Sequence, residues 1–357
     1  MSVSTNAVFT TGNNSRPRMA KLLPTNLLKC PICGNDLSLK PDSLTCTEEH
    51  SFPCVQNVID FSGIEETDSV QRRSQQSFGV EWTQYYSSLG WAPKELASER
   101  EMFLTYTRAM PNFFSTKIIV DAGCGNGRYI NIVNNISPSP PKLIIGVDLS
   151  DSIFVAARNC AKFTNVLFIK MNLKLLGKTL KTPVDYIYSI GVLHHTPDAK
   201  ESFDGLAKCV KKHGFLSLFL YGKGNSILVK VNSFLRNRFF QKWPHKLVYY
   251  LCVLIAIPCQ IFRIKFFGPW MLDLINRFIF VSPDAHNMFD AYTAGYTSFH
   301  EKSEVEEWYR VNGFDCVVES HLNHTSLFCI GRKMQAEPLR SEPPVSPIHH
   351  RGTEYAG

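Results

Sequence analysis

Ile118-Ile119-Val120-Asp121-Ala122-Gly123-Cys124-Gly125-Asn126-Gly127 is a short β-branched run that breaks into a glycine loop. The run predicts a buried strand. The glycines let the backbone turn tightly and approach a ligand where any Cβ would clash. A second acid, Asp148, ends the next apolar run, Leu143–Val147, 21 residues after Gly127. A carboxylate at that place can accept both hydrogen bonds of a ribose diol. This much is generic nucleoside logic, and the spacing refines it. The nicotinamide fingerprint is G-x-G-x-x-G, with a helix N-terminus aimed at a pyrophosphate. Here the spacing is G-x-G-x-G, with an acid two positions before the first glycine. That pattern suits a ligand with a cationic amino-acid end and no pyrophosphate.

Outward from the loop, strand-like and helix-like segments alternate. Val166–Ile169, Val184–Ile190 and Phe215–Tyr221 read as strands, and Ser152–Ala161 and Lys200–Lys211 as helices. Ser303–Val311 reads as a further helix, with Phe314–Glu319 and Thr325–Gly331 as a closing pair of strands. Such alternation implies βαβ units and a parallel sheet covered on both faces. Phe78–Phe114 carries apolar residues at helical spacing, and Ser62–Ser77 reads as a polar linker.

The loop and its flanks resemble motif I of class I S-adenosylmethionine-dependent methyltransferases. The resemblance spans about 117–333 and is thinnest over 222–290. It implies an α/β, Rossmann-like fold with a seven-stranded, mostly parallel sheet whose final strand is antiparallel. It implies S-adenosyl-L-methionine as cofactor, held by Asp121, Gly123, Gly125 and Gly127 at the methionine part and by Asp148 at the ribose. Met171 and Asn172 are expected to flank the adenine, with Ile190 at the end of the fourth strand. Many family members have Asp where this chain has Asn172. Asp185 to Asp198, with Leu193-His194-His195, resembles the segment after that strand in ubiquinone/menaquinone-type small-molecule methyltransferases. His194 and His195 are therefore the candidate catalytic residues. A neutral imidazole can take a proton from an attacking hydroxyl; the competing reading has both histidines only shaping the rim.

A cysteine module precedes this domain. Cys30-Pro31-Ile32-Cys33 is a knuckle, and Cys46 and His50 complete a Cys-x2-Cys-x12-Cys-x3-His set. Four such ligands suit a closed, structural zinc site (Zn2+). Cys54 is an alternative to His50. No recognition helix follows, so a ribbon is expected. It resembles the ribbon of bacterial 23S rRNA guanine-N1 methyltransferases and the small activator proteins that partner other methyltransferases.

The expected organisation is a disordered leader over 1–26, a zinc ribbon over 27–62 and a methyltransferase domain over 78–333. Residues 223–290 are expected to form a helical cap insertion, and 334–357 a disordered tail. Within the insertion, 246–267 is very apolar and edged with Lys and Arg. A cap over the active site, an interfacial segment touching a membrane through 236–267, and a spanning helix all compete for it. The acceptor expected from the histidines and the C-terminal strands is a small or lipid-linked molecule, methylated on O or C. The ribbon supports the alternative of an RNA base.

Bulk properties narrow the field. With 357 residues, 44% hydrophobic and 19% charged, the chain is globular and exceeds one minimal domain. A net charge of +7 falls short of a dedicated nucleic-acid binder. Seven of the eleven cysteines are scattered singly, and Met1–Thr25 has no apolar signal region, so a cytoplasmic chain is expected. An association with membrane is left open.

Overall fold

The computed structural model describes residues 27–85, 91–224, 226–264, 282, 285–321 and 326–334. The leader, and the tail beyond Met334, lie outside the described residues, as do 265–281 of the insertion.

Runs rich in β-branched, aromatic and other apolar residues form the central strands: β5 (Ile118–Ala122), β6 (Leu143–Asp148), β7 (Val166–Lys170), β8 (Val184–Ile190) and β9 (Val210–Tyr221). Their order is β7-β6-β5-β8-β9, all parallel. β10 (Phe314–His321) and β11 (Ser326–Lys333) form a hairpin, and β11 inserts antiparallel beside β9. Val120 and Ala122 point to one core and Ile119 to the other, as the two-residue period of a doubly covered strand requires. Helices α3 (Arg128–Ile136), α4 (Ser152–Asn159), α5 (Leu176–Thr179), α6 (Ala199–Ala207) and α10 (Lys302–Val311) cover the faces.

The sheet holds eleven strands, not the expected seven. The four extra strands are β1 (Leu37–Leu39), β2 (Ser43–Cys46), β3 (Ser51–Val55) and β4 (Val58–Asp60). β4 pairs parallel with β7, matching Val58 to Phe168 and Ile59 to Ile169. The cysteine module is thus an extension of the sheet. Leu27, Leu28, Phe52, Ile59 and Phe61 share one core with Val120, Ile145 and Leu167. Backbone bonds Lys29 N–H to Thr179 O at 2.8 Å and Lys181 N–H to Leu27 O at 2.9 Å fasten its start to the turn after α5.

The expected linker is also corrected. Residues 69–80 form helix α1 (Ser69–Val80), started by Asp68, whose carboxylate accepts from Val70 N and Gln71 N. Its buried face is small and polar: Ser74, Ser77 and Gly79. Ser77 Oγ donates to Thr293 Oγ1 at 2.6 Å, and Ser74 Oγ accepts from Gly295 N at 2.8 Å. Such a helix packs through hydrogen bonds and shows no hydrophobic period. α2 (Pro93–Thr107) follows.

The insertion is helical where described: α7 (Ser226–Arg238), α8 (His245–Ile264) and α9 (Ala285–Thr293). Val248, Cys252 and Ala256 of α8 bury against Met288, Phe289 and Tyr292 of α9. Tyr85 stacks on Tyr249 at 3.8 Å between ring centroids. No helix among the described residues is long and apolar enough to cross a membrane.

Candidate functional site

In an open parallel sheet, ligands bind at the carboxyl ends of the strands where strand order reverses. Here that point lies between β5 and β8, and a cavity of about 640 Å3 opens there. Its floor is the loop after β5. Gly123 has φ 88°, and a Cβ there would sit 2.2 Å from Val192. Gly123 N and Cys124 N donate to Val147 O at 2.7 and 3.0 Å, folding the loop over the end of β6. Gly125 lines the cavity, and its N–H donates to Asp148 Oδ2 at 2.9 Å. Ser150 N and Oγ each donate to Asp148 Oδ1 at 2.8 Å. A carboxylate offers about four acceptor sites. One remains, and the Ser150 hydroxyl, which also meets Ser152 Oγ at 2.7 Å, can yield another. Burial raises the Asp148 pKa, opposed by the bonds from Ser150 and Gly125.

Asn172 and Ile190 line the cavity. Asn172 donates to Glu65 at 3.3 Å, and its oxygen accepts from Lys174 N at 3.3 Å. Other expected residues stand off the wall. Met171 is fully buried in the core, with its N–H bonded to Asp148 O. Gly127, at φ 83°, starts α3, and its missing Cβ lets Cys160 and Ala156 of the α4 region pack against it. Asp121 is 1% exposed beneath the loop, and burial pushes its carboxyl up to about 8. Its Oδ2 has no hydrogen-bond partner.

The two histidines separate. His194 is fully buried, stacks on Tyr221 at 3.8 Å and accepts from Tyr221 N at 3.3 Å. Burial drives its pKa well below the ordinary histidine value. His194 therefore shapes the rim from behind, and the general-base reading does not fit it. His195 lines the cavity. Its Nδ1 lies 3.0 Å from Tyr296 O, which can only accept, so Nδ1 carries the hydrogen. In the neutral ring Nε2 is then the acceptor, and it lies 3.5 Å from Asp290 Oδ1.

Several wall residues escaped the sequence reading. Glu81 and His286 form a buried pair at 2.7 Å, and burial pushes Glu81 up to about 7. Arg128 lies over the rings of Trp82 and Tyr129 at 5.0 and 4.7 Å, and its guanidinium meets Glu99 at 3.2 Å. Asn232 and Arg236 enter from α7, and His286 and Asp290 from α9. These residues of the insertion bring polar and charged groups to the cavity wall. The legible signal was aromatic spacing around Trp82; nothing local marks Asp290.

A second site lies in the ribbon. Cys30, Cys33, Cys46 and His50 place their ligand atoms within 4.8 Å of one another. Cys33 Sγ–Cys46 Sγ is 3.6 Å, Cys46 Sγ–His50 Nδ1 3.3 Å and Cys30 Sγ–His50 Nδ1 3.7 Å. A tetrahedral ion about 2.3 Å from sulfur and 2.0 Å from nitrogen needs edges of roughly this length. Cys54 stands outside the cluster.

Residues 120–216 match the family model of a methyltransferase domain. The matched span runs from the strand before the glycine loop to the start of β9's inner half, and so includes Asp148, Asn172 and His195. None of the curated proteins matches the sequence. Among solved structures, the chain is similar to an O-methyltransferase family protein from Burkholderia thailandensis, at 14% identity and TM-score 0.41. That alignment covers 68% of this chain and 59% of that one, so the chain spans less than two thirds of its length. It is also similar to magnesium protoporphyrin IX methyltransferase from Synechocystis PCC 6803 with bound SAH, at 15% identity, 75% and 89% coverage and TM-score 0.37. A DhpI–SAH complex aligns at 11% identity, 75% and 98% coverage and TM-score 0.44.

Proposed function

We propose that the chain transfers the methyl group of S-adenosylmethionine to a hydroxyl of a small or lipid-linked acceptor, with His195 as general base. The observation that carries this reading is one continuous cavity. The glycine loop, Asp148, Asn172 and Ile190 bound one part of it, and His195 and Asp290 bound another. The matched domain model supports the transfer class.

The residues present fit the cofactor. Gly123, Gly125 and Asp148 line the cavity, Asp148 retains acceptor capacity for a ribose, and Asp121 lies beneath the loop. The cofactor would supply an activated methyl on a sulfonium. The protein's part is to orient the acceptor, exclude water and take its proton. His195 Nε2 receives that proton, Tyr296 O fixes the ring, and Asp290 faces the imidazolium that results. Zinc in the Cys30–Cys33–Cys46–His50 site would hold the two ribbon knuckles together and take no part in transfer.

The test is incubation of the protein with methyl-labelled S-adenosylmethionine and fractionated host extract. Label in small molecules or lipid supports the reading. Label confined to RNA replaces it with the RNA-base alternative.

A further inference from the structure

The insertion carries a surface that the transfer reading does not use. On α8, Val248, Cys252, Ala256 and Cys259 face inward. Leu247, Tyr250, Leu254 and Ile257 recur at helical spacing on the opposite face, and are 53%, 63%, 68% and 50% exposed. Phe234, Phe239 and Trp243 are exposed as well, with successive ring centroids 6.3 and 6.4 Å apart. Of the thirteen large apolar side chains exposed among the described residues, these seven fall between 234 and 257. Scattered exposed apolar residues need no explanation, but a concentration of this kind does.

Charge identifies what covers it. From Lys223 to Ile264 there is no Asp or Glu, while Lys or Arg stands at 223, 230, 236, 238, 242, 246 and 263. Lys230, Arg238, Lys242 and Lys246 are exposed. A helix with an apolar outer stripe, a basic margin and aromatic neighbours lies in the headgroup region of a bilayer. A second copy seated on this face about a twofold axis would set the basic margins against each other. We infer that the outer face of α8, with Phe234, Phe239 and Trp243, docks on an anionic lipid surface.

Docking would place the cavity close to the headgroups. α7 turns Val229, Asn232, Ser233 and Arg236 toward the cavity, and Lys230, Phe234 and Arg238 toward solvent. One helix therefore separates the docked face from the site. The docking inference does not depend on the reaction assigned to that site.

The experiment is flotation of the full chain with two sets of vesicles, phosphatidylcholine alone and phosphatidylcholine with about one third phosphatidylglycerol. The chain is expected to float with the anionic vesicles only, and less as salt rises. Replacing Trp243, Tyr250 and Leu254 together by Ser should cut the bound fraction at least about tenfold. Arg238→Ser, Lys242→Ser and Lys246→Ser together should do the same. These side chains are exposed, and an unchanged melting curve confirms that each variant folds. The inference is overturned if the chain stays with the buffer in both cases, or if the variants float as well as the parent. It is also overturned if light scattering shows a dimer that the Ser variants abolish, which would make a second copy the occupant. Protection of Tyr250 and Trp243 from hydroxyl radicals in vesicle-free monomer would likewise overturn it, and would assign the face to residues 265–281 of the chain itself.

Discussion

Nε2 of His195, on the turn after β8, lies 3.5 Å from Oδ1 of Asp290 on α9. The first residue belongs to the sheet and the second to the insertion, so the proton-accepting pair exists only when the cap is seated. Asp290→Asn should lower kcat about 100-fold, and His195→Ala at least as much, while cofactor affinity stays unchanged. A kcat/KM profile against pH, with calorimetry for the cofactor, checks the split. Equal losses in cofactor binding would assign the pair a structural role instead.

Asp148 is the anchor expected for the ribose. Asp148→Ala removes charged acceptors and also strands the Gly125 and Ser150 donors. Affinity for S-adenosylmethionine should fall by about 1.5–3 kcal/mol in calorimetry. Unchanged affinity would take Asp148 out of the site.

Purified protein should contain one zinc per chain by elemental analysis without added metal. Cys46→Ser removes one of four donors, so the metal should be lost and the melting temperature should fall. A metal-free parent with the same melting temperature would show that the cysteines are not ligands.

Asp121 gives a pH dependence of stability. Burial holds its folded pKa at about 8, above the ordinary carboxylate value of 3.8, so the neutral form is favoured in the folded chain. The corresponding stability is fully present below 3.8 and is lost as pH rises through 8. Between pH 6 and 9 the loss amounts to about 2.7 kcal/mol. Asp121→Asn cannot ionise, so its melting temperature should fall about 5 °C less than the parent's over that interval, without cofactor. Parallel curves for the two proteins would place the ionisation elsewhere.

Much of the central sheet was legible from residue pattern. Ile118–Ala122 and Val184–Ile190 are short β-branched and aromatic runs bounded by turns. β4 was not legible as part of that sheet. Val58–Asp60 is three residues long, too short to show a period, and only its pairing with β7 reveals where it belongs. α1 was hidden for a different reason, since Ser74 and Ser77 pack by hydrogen bonds. In the site, Gly123, Gly125 and Asp148 announced themselves through spacing. Glu81, His286 and Asp290 could not, because they meet only after two segments some 200 residues apart have packed together.

β7 would be the terminal strand of a parallel sheet if the chain began after Ile64. Its outer row of amide and carbonyl groups is instead paired by Val58, Ile59 and Asp60. An uncovered row of this kind is a template on which further strands, from any chain, can assemble. The cysteine ribbon is thus a selvage that keeps the weave from unravelling into neighbouring molecules. Cutting the chain between ribbon and sheet to obtain a minimal enzyme would yield a protein that precipitates.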